Sequence, residues 1–195
     1  MSLMVRLKAE TSIAHDRIED EVGLAGRLAS KDAYRGLVER FYGFHRVWEP
    51  EAAAALADEA FFGPRRKTAF LERDLLSLGL THRAIAALPR CRSSLVPPSR
   101  AAALGALYVL EGSTLGGALI AREVERSLGL TAGTGCAYFR AYGRETAAMW
   151  RALGAHLEAN VPPGRDDEVV AGARAAFERL RVWLAPVPDG VAVAA

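Results

Sequence analysis

The sequence predicts an all-α fold, a single-domain bundle of several helices around one core. Apolar residues recur at three- and four-residue intervals along most of the 195-residue chain, no stretch alternates apolar with polar residues, and no Asn-Gly hairpin dipeptide occurs. A chain of this length holds enough apolar side chains for one full core, and no repeat period divides it. One domain is expected over residues 1–195, with 185–195 as a loose tail.

From about Val5 to Val22, the residues Leu7, Thr11, Ala14, Ile18 and Val22 share one helix face. Ser30 is a good N-cap for the next helix, KDAYRGLVERFYGFHRVWEPEAAAALA, whose apolar side holds Tyr34, Leu37, Val38, Phe41, Phe44, Val47 and Trp48. Pro50 lacks a backbone N–H and is expected to bend or divide it. Shorter helices are expected at Lys67–Leu78 and, capped by Thr81, at Thr81–Leu88. The Pro97-Pro98-Ser99 turn launches a long helix that should last until Leu128-Gly129. A GLTAGTG loop then leads into a helix over about Cys136–Glu158, with Tyr138, Tyr142, Met149, Leu153 and Leu157 on its buried side. Asp166-Asp167-Glu168 place negative charge at the start of the last helix, where the macrodipole favours it. That helix should end near Leu184, before Pro186 and Pro188, with Asp189–Ala195 loose.

The stretch Ala101–Arg122, AAALGALYVLEGSTLGGALIAR, carries glycines at 105, 112, 116 and 117. Each costs roughly 1 kcal/mol relative to alanine inside a helix, so the group needs a reason. Gly112 and Gly116 lie four apart on one face and Gly117 widens it, leaving backbone without Cβ atoms. A membrane span is one reading of such a segment, but Glu111 at its centre, with Ser113 and Thr114 close behind, argues against it. Two readings remain open: glycines that permit tight helix packing, or a helix kinked over a planar ligand.

A formal net charge of +2 gives no argument for nucleic acid. The runs Arg65-Arg66-Lys67 and Arg90-Cys91-Arg92 are short and read as solvated surface, with a patch for an acidic protein partner as the alternative. Cys91 and Cys136 are far apart without a CxxC spacing, which points to reduced thiols and a cytoplasmic protein. The opening MSLMVRLKAETS brings a charge before any apolar run, so no secretory signal is expected. Gly133-Thr134-Gly135 begins like a dinucleotide loop, but Tyr138 takes the third glycine's place and no strand precedes it. With no nicotinamide or flavin pattern, any redox chemistry needs electrons from outside.

Of the four histidines, His82 reads as surface, His156 lies near a helix end, and His45 among Phe41, Tyr42 and Trp48 reads as packed. His15 differs by its company. Glu19 is one turn later, where a carboxylate steadies an imidazole, and Lys8 is two turns earlier on the same face. Such a face combines a metal ligand, an acceptor for its other ring nitrogen and a cation for an acidic group at the ligand's edge. A structural histidine is the plainer alternative.

LKAETSIAHDRIE near the N-terminus, together with LYVLEGSTLGG, resembles the bacterial biliverdin-producing heme oxygenases. The likeness extends from about Arg6 to Leu184 and includes YFRAYGRETAAMWRAL. The resemblance implies heme between a proximal N-terminal helix and a kinked, glycine-rich distal helix. It implies His15 as the iron ligand, Glu19 as the carboxylate beside it, Lys8 as partner of a propionate, and Gly112, Gly116 and Gly117 as distal glycines. Phe177, in RAAFERL, is similar to an aromatic residue that walls the pocket. The implied reaction is oxidative cleavage of heme by dioxygen to biliverdin, ferrous iron and carbon monoxide, with Gly112, Ser113 and Gly116 on the reacting side. The implied electron donor is a ferredoxin, a flavodoxin or an NAD(P)H-dependent reductase, and a bilin-binding photoreceptor is a user of the product.

Many members of that family carry an aspartate after the first distal glycine, where this chain has Ser113. A hydroxyl anchors water less firmly than a carboxylate, which leaves a heme-binding or heme-carrying protein without turnover as an alternative. Arg140, Arg144 and Arg151 are all candidates for the propionates, and their spacing does not choose among them. Non-heme chemistries on a similar fold are a third class. A diiron site finds little support, since Glu39 and His45, six residues apart, do not share a helix face.

Overall fold

The computed structural model describes residues 1–91 and 98–185, and every regular element among them is helical. Arg92, Pro97, Pro186, Pro188 and the tail from Asp189 lie outside the described residues. Helix α1 (Leu3–Val22) begins ahead of the predicted start because the Ser2 hydroxyl accepts from the Val5 N–H, and it stops at Gly23 with φ 63°. A single turn, α2 (Leu24–Arg27), follows. Helix α3 (Lys31–Leu56) is capped by Ser30 as expected and carries Pro50 without interruption. Then come α4 (Glu59–Phe62), α5 (Thr68–Ser77) and α6 (His82–Ala86), the last capped by Thr81. Helix α7 (Arg100–Leu128), capped by the Ser99 hydroxyl and ended by Gly129 at φ 66°, matches its predicted bounds. It continues unbroken through Gly112–Gly117.

The segment expected as one helix over Cys136–Glu158 is instead α8 (Ala137–Arg140), a 3-10 turn at Gly143–Glu145 and α9 (Thr146–Asn160). Ala141 at φ 35° and Gly143 at φ 55° leave the right-handed helical region, so the helix cannot run on. The final helix, α10 (Asp166–Leu184), has its three acidic residues in the first turn, as expected.

Ala101–Glu111 are all buried, making the first half of α7 the centre of the core. By length and composition α7 would cross a membrane, with mean hydropathy 1.4, yet 56% of that window is buried inside the fold. Helices α3, α9 and α10 take the surface that lipid would. At the α7–α10 crossing, a Cβ on Gly105 would lie 1.8 Å from the Val169 carbonyl oxygen, and one on Gly172 would lie 2.1 Å from that of Ala102. Of the two readings of the glycines, close helix packing is therefore the one that holds for Gly105. Helix α1 lies along α10, tied by Arg174 to Glu10 and by Arg181 to Glu21.

Gly105→Ala drives a methyl group into a backbone carbonyl that cannot move away. We expect a loss of about 3 kcal/mol or more, read as a fall in Tm on the order of 10 °C. A wild-type melting curve would contradict so close a crossing.

Candidate active site

His15 projects from α1 with 54% of its side chain exposed. Phe177 of α10 meets it edge-on from behind, ring centroids 6.0 Å apart at 74°. Glu19 Oε1 is 3.7 Å from Nε2, and Asp16 Oδ1 is 3.8 Å from Nδ1. Both carboxylates stand beyond direct hydrogen bonding and within reach through one water, and a half-turn of the ring exchanges their partners. The donor atoms of His15, Asp16 and Glu19 lie within 4.8 Å of one another. Asp16 escapes sequence reasoning because adjacent residues normally point to different faces of a helix. Lys8 is exposed two turns earlier.

The glycines of α7 divide into three environments. A Cβ on Gly116 would meet no described atom within 4 Å, one on Gly112 would touch the Trp150 ring at 3.5 Å, and one on Gly117 would lie 3.1 Å from the Phe139 carbonyl oxygen. The expectation that Gly117 widens the open face is corrected: it is buried against α8, which the break after Arg140 allows to pack there. Leu115 and Leu119, 43% and 66% exposed, flank Gly116. The Ser113 hydroxyl donates to the Leu110 carbonyl at 2.7 Å and that of Thr114 to the Glu111 carbonyl at 2.6 Å. Each keeps its oxygen as an acceptor, but only Ser113 is exposed. Trp150 also packs on Tyr108, centroids 5.3 Å apart. Arg140 is matched by Glu125, Nε to Oε1 2.7 Å, whereas Arg144 and Arg151 are exposed.

Behind α7 lies a polar cluster that the sequence reading missed. Glu111 Oε1 accepts from the Tyr142 hydroxyl at 2.6 Å and from Lys67 Nζ at 3.1 Å, while Oε2 is 3.4 Å from Arg65 Nε. Lys67 Nζ also donates to the Arg65 carbonyl at 2.8 Å. Arg65 and Lys67 are only 6% and 3% exposed, so the basic run read as solvated surface is largely interior. Arg66 alone turns outward, to Glu59. The physical reason is that two buried carboxylates receive this loop. Glu111 takes its cations, and Glu49 Oε1 accepts from the Lys67 and Thr68 N–H groups at 2.6 and 2.8 Å. Burial pushes the Lys67 ammonium down from 10.5, against the pull of Glu111.

His45 is buried as expected, but it belongs to this cluster. Nδ1 is 3.3 Å from Glu49 Oε1, at an angle oblique for a hydrogen bond, and Nε2 is 3.2 Å from the Tyr138 hydroxyl. Burial pushes its pKa below 6.5 despite Glu49. Burial alone would raise Glu49, yet His45 and the two backbone N–H groups outweigh it and hold the carboxyl below 4.5. The signal for the pair was present, since Glu49 follows His45 by one helical turn.

One all-helical frame thus presents a half-exposed imidazole on one helix and bare backbone on another. The chain belongs to the heme oxygenase family, whose sequence profile matches residues 1–185. Family and fold make it an oxidoreductase that acts as a heme oxygenase. Among solved structures, the heme oxygenase of Neisseria meningitidis, studied with NO and CO bound, is 25% identical, covers 98% of each chain and superposes with a TM-score of 0.80. The Leptospira interrogans heme oxygenase is 18% identical over 94% of this chain and 98% of its own, TM-score 0.77. A Synechocystis heme oxygenase in complex with heme shares the fold at 17% identity over 94% of this chain and 91% of its own, TM-score 0.74. No curated protein sequence matches the chain.

The cluster makes stability acid-sensitive. His45 stays neutral in the fold while the unfolded chain takes up a proton near 6.5, so the unfolded state binds more protons below that pH and stability falls. Glu49 adds a loss as pH drops below 4.5 and through its lower folded value. We expect a lower urea midpoint at pH ~5.5 than at pH ~7.5, and His45→Gln to shrink that difference. An undiminished difference in the variant would place the sensitivity elsewhere.

Proposed function

We propose that the chain cleaves heme with dioxygen to biliverdin, ferrous iron and carbon monoxide, drawing electrons from a ferredoxin, a flavodoxin or an NAD(P)H-dependent reductase. The observation that supports this most is the bare backbone at Gly116 between two exposed leucines, in a chain of the heme oxygenase family. Covering a leucine contributes about 1.5–3 kcal/mol, so Leu115 and Leu119 suit a flat apolar ligand.

In this reading His15 holds the iron, Phe177 sets its ring from behind, and Glu19 or Asp16 accepts through water from the other ring nitrogen. Lys8 takes a propionate. Arg144 and Arg151 are the further candidates, since Arg140 is already matched by Glu125. Bare backbone at Gly116 would leave space for the ligand and dioxygen, Ser113 would offer a hydroxyl beside it, and Trp150 would bound the pocket at Gly112. Heme itself supplies the oxidative chemistry; the protein ligates, directs and delivers protons. The buried thiols Cys91 and Cys136 suit the reducing cytoplasm. Biliverdin as product suits a bilin-binding photoreceptor downstream.

Hemin added to the protein should give a Soret band and quench Trp150 fluorescence. With ascorbate or a ferredoxin system in air, catalase present, the band should decay as the broad red absorbance of biliverdin grows. A lasting Soret band would leave a heme carrier; no band would remove heme altogether. His15→Ala should lose normal axial ligation and most turnover, and unchanged spectra with full turnover would rule His15 out.

Gly116→Leu separates a ligand surface from a packing surface. Because nothing described lies within 4 Å of the added Cβ, this variant should keep its melting temperature, unlike Gly105→Ala. Turnover should fall on the order of tenfold or more as the distal space fills. Full activity would place the ligand elsewhere.

A further inference from the structure

Tyr108, Gly112 and Gly116 follow one another at four-residue steps along α7 and so form one row on its surface. A single indole covers the first two positions. The Trp150 ring of α9 packs on the Tyr108 ring, centroids 5.3 Å apart at 45°. Its outer edge stands where a Cβ on Gly112 would meet Cη2 at 3.5 Å and Cζ3 at 3.6 Å. The third position lies one turn further along, about 6 Å down the axis. It is open, since a Cβ on Gly116 would meet no described atom within 4 Å.

Gly112 differs in kind from the glycines of the α7–α10 crossing. There an added Cβ would run into backbone at 1.8 and 2.1 Å, whereas 3.5 Å from an indole edge is ordinary contact. Alanine would fit at position 112 and recover about 1 kcal/mol of helix propensity. Helix packing therefore does not account for this glycine. What the missing methyl leaves is bare backbone between the aromatic edge and the open position at Gly116, a place for the rim of a flat ligand.

The indole is firmly held. Leu153 and Leu157, one and two turns after it, are fully buried. Arg65 Nη2 donates at 3.4 Å to the carbonyl of Met149, the residue before Trp150, and Nη1 donates to the Phe61 carbonyl at 2.7 Å. The Arg65 guanidinium lies 3.8 Å from the centroid of the Phe61 ring, which also stacks on His156 of α9 at 3.5 Å and 8°. Helix α9 is thus gripped from α4 and the residues just after it at positions 149 and 156, which bracket Trp150.

We propose that Trp150 is a specificity-determining residue: its edge is the stop that fixes how a flat macrocycle is turned and seated along α7, and thereby which side of the ring lies at Gly116. This rests on the reading that heme lies against Gly116. Leu115 and Leu119, 43% and 66% exposed, offer apolar contact, which is non-directional and tolerates rotation of the macrocycle in its own plane. A rigid aromatic edge does not tolerate it, because rotation brings a ring substituent against the indole.

The test reads seating without turnover. In the hemin-loaded ferric protein with cyanide, the hyperfine-shifted proton resonances of the heme methyl groups report the in-plane orientation. Trp150→Phe keeps a ring for Tyr108 but withdraws the edge from Gly112. A second orientation should gain about two- to tenfold over the first, the range that loss of one aromatic contact allows. Trp150→Ala should shift the populations further, and under ascorbate in air the ratio of biliverdin isomers should move the same way. A merely structural role would lower Tm and leave the methyl pattern and isomer ratio as they are, and that result overturns the proposal. Should Trp150→Ala not fold, an unmoved methyl pattern in Trp150→Phe overturns it alone. Absence of a Soret band in the unsubstituted protein would instead sink the heme reading on which the proposal stands.

Discussion

The backbone contact between α7 and α10 is the constraint on which the rest of the structure depends. With carbonyl oxygens standing where the Cβ atoms of Gly105 and Gly172 would be, the two helices approach as closely as backbones can. Helix α10 carries Phe177 and supports α1 along its length, so its seating on α7 also seats His15. The distance between the imidazole platform and the glycine strip is thereby set by a contact remote from both. Two glycines inside helices cost about 1 kcal/mol each in propensity, and dispersion along a close crossing offsets that.

Rotation of α7 about its own axis is governed separately, by Glu111. This carboxylate is tied to Lys67, Arg65 and Tyr142, and it immediately precedes Gly112. Turning α7 enough to hide Gly116 would withdraw Glu111 from all three partners and leave charges unpaired in the core, at several kcal/mol. The same cluster therefore holds the open glycine outward and the cation-bearing loop inward.

Much of this architecture is legible in the sequence, because its signals are local. Ser30, Thr81 and Ser99 cap the helices they were expected to cap, Gly129 ends α7, and the acidic first turn opens α10. What was not legible depends on partners distant in the chain. Arg65 and Lys67 read as surface because nothing nearby shows that Glu111 waits for them. Gly117 read as open because only the break at Ala141 and Gly143 turns α8 against it. The residues singled out on α1 and α7 rest on a family likeness together with local spacing; the relation between them is a property of the fold. Asp74 carried no signal at all, since its capping role is spent on α8 rather than on its own helix.

The polar interior also bears on the segment of α7 that carries Ser113. An ion cluster of this kind adds little net stability, because desolvation consumes most of what the pairing returns, and well-packed apolar residues would serve the core as well. Its value lies in geometry. Its hydrogen bonds hold Tyr138, Tyr142 and His45 in fixed orientations behind the segment that carries Gly112, Ser113 and Gly116. The hydroxyl at position 113, which donates to the Leu110 carbonyl, adds no charge beside that cluster.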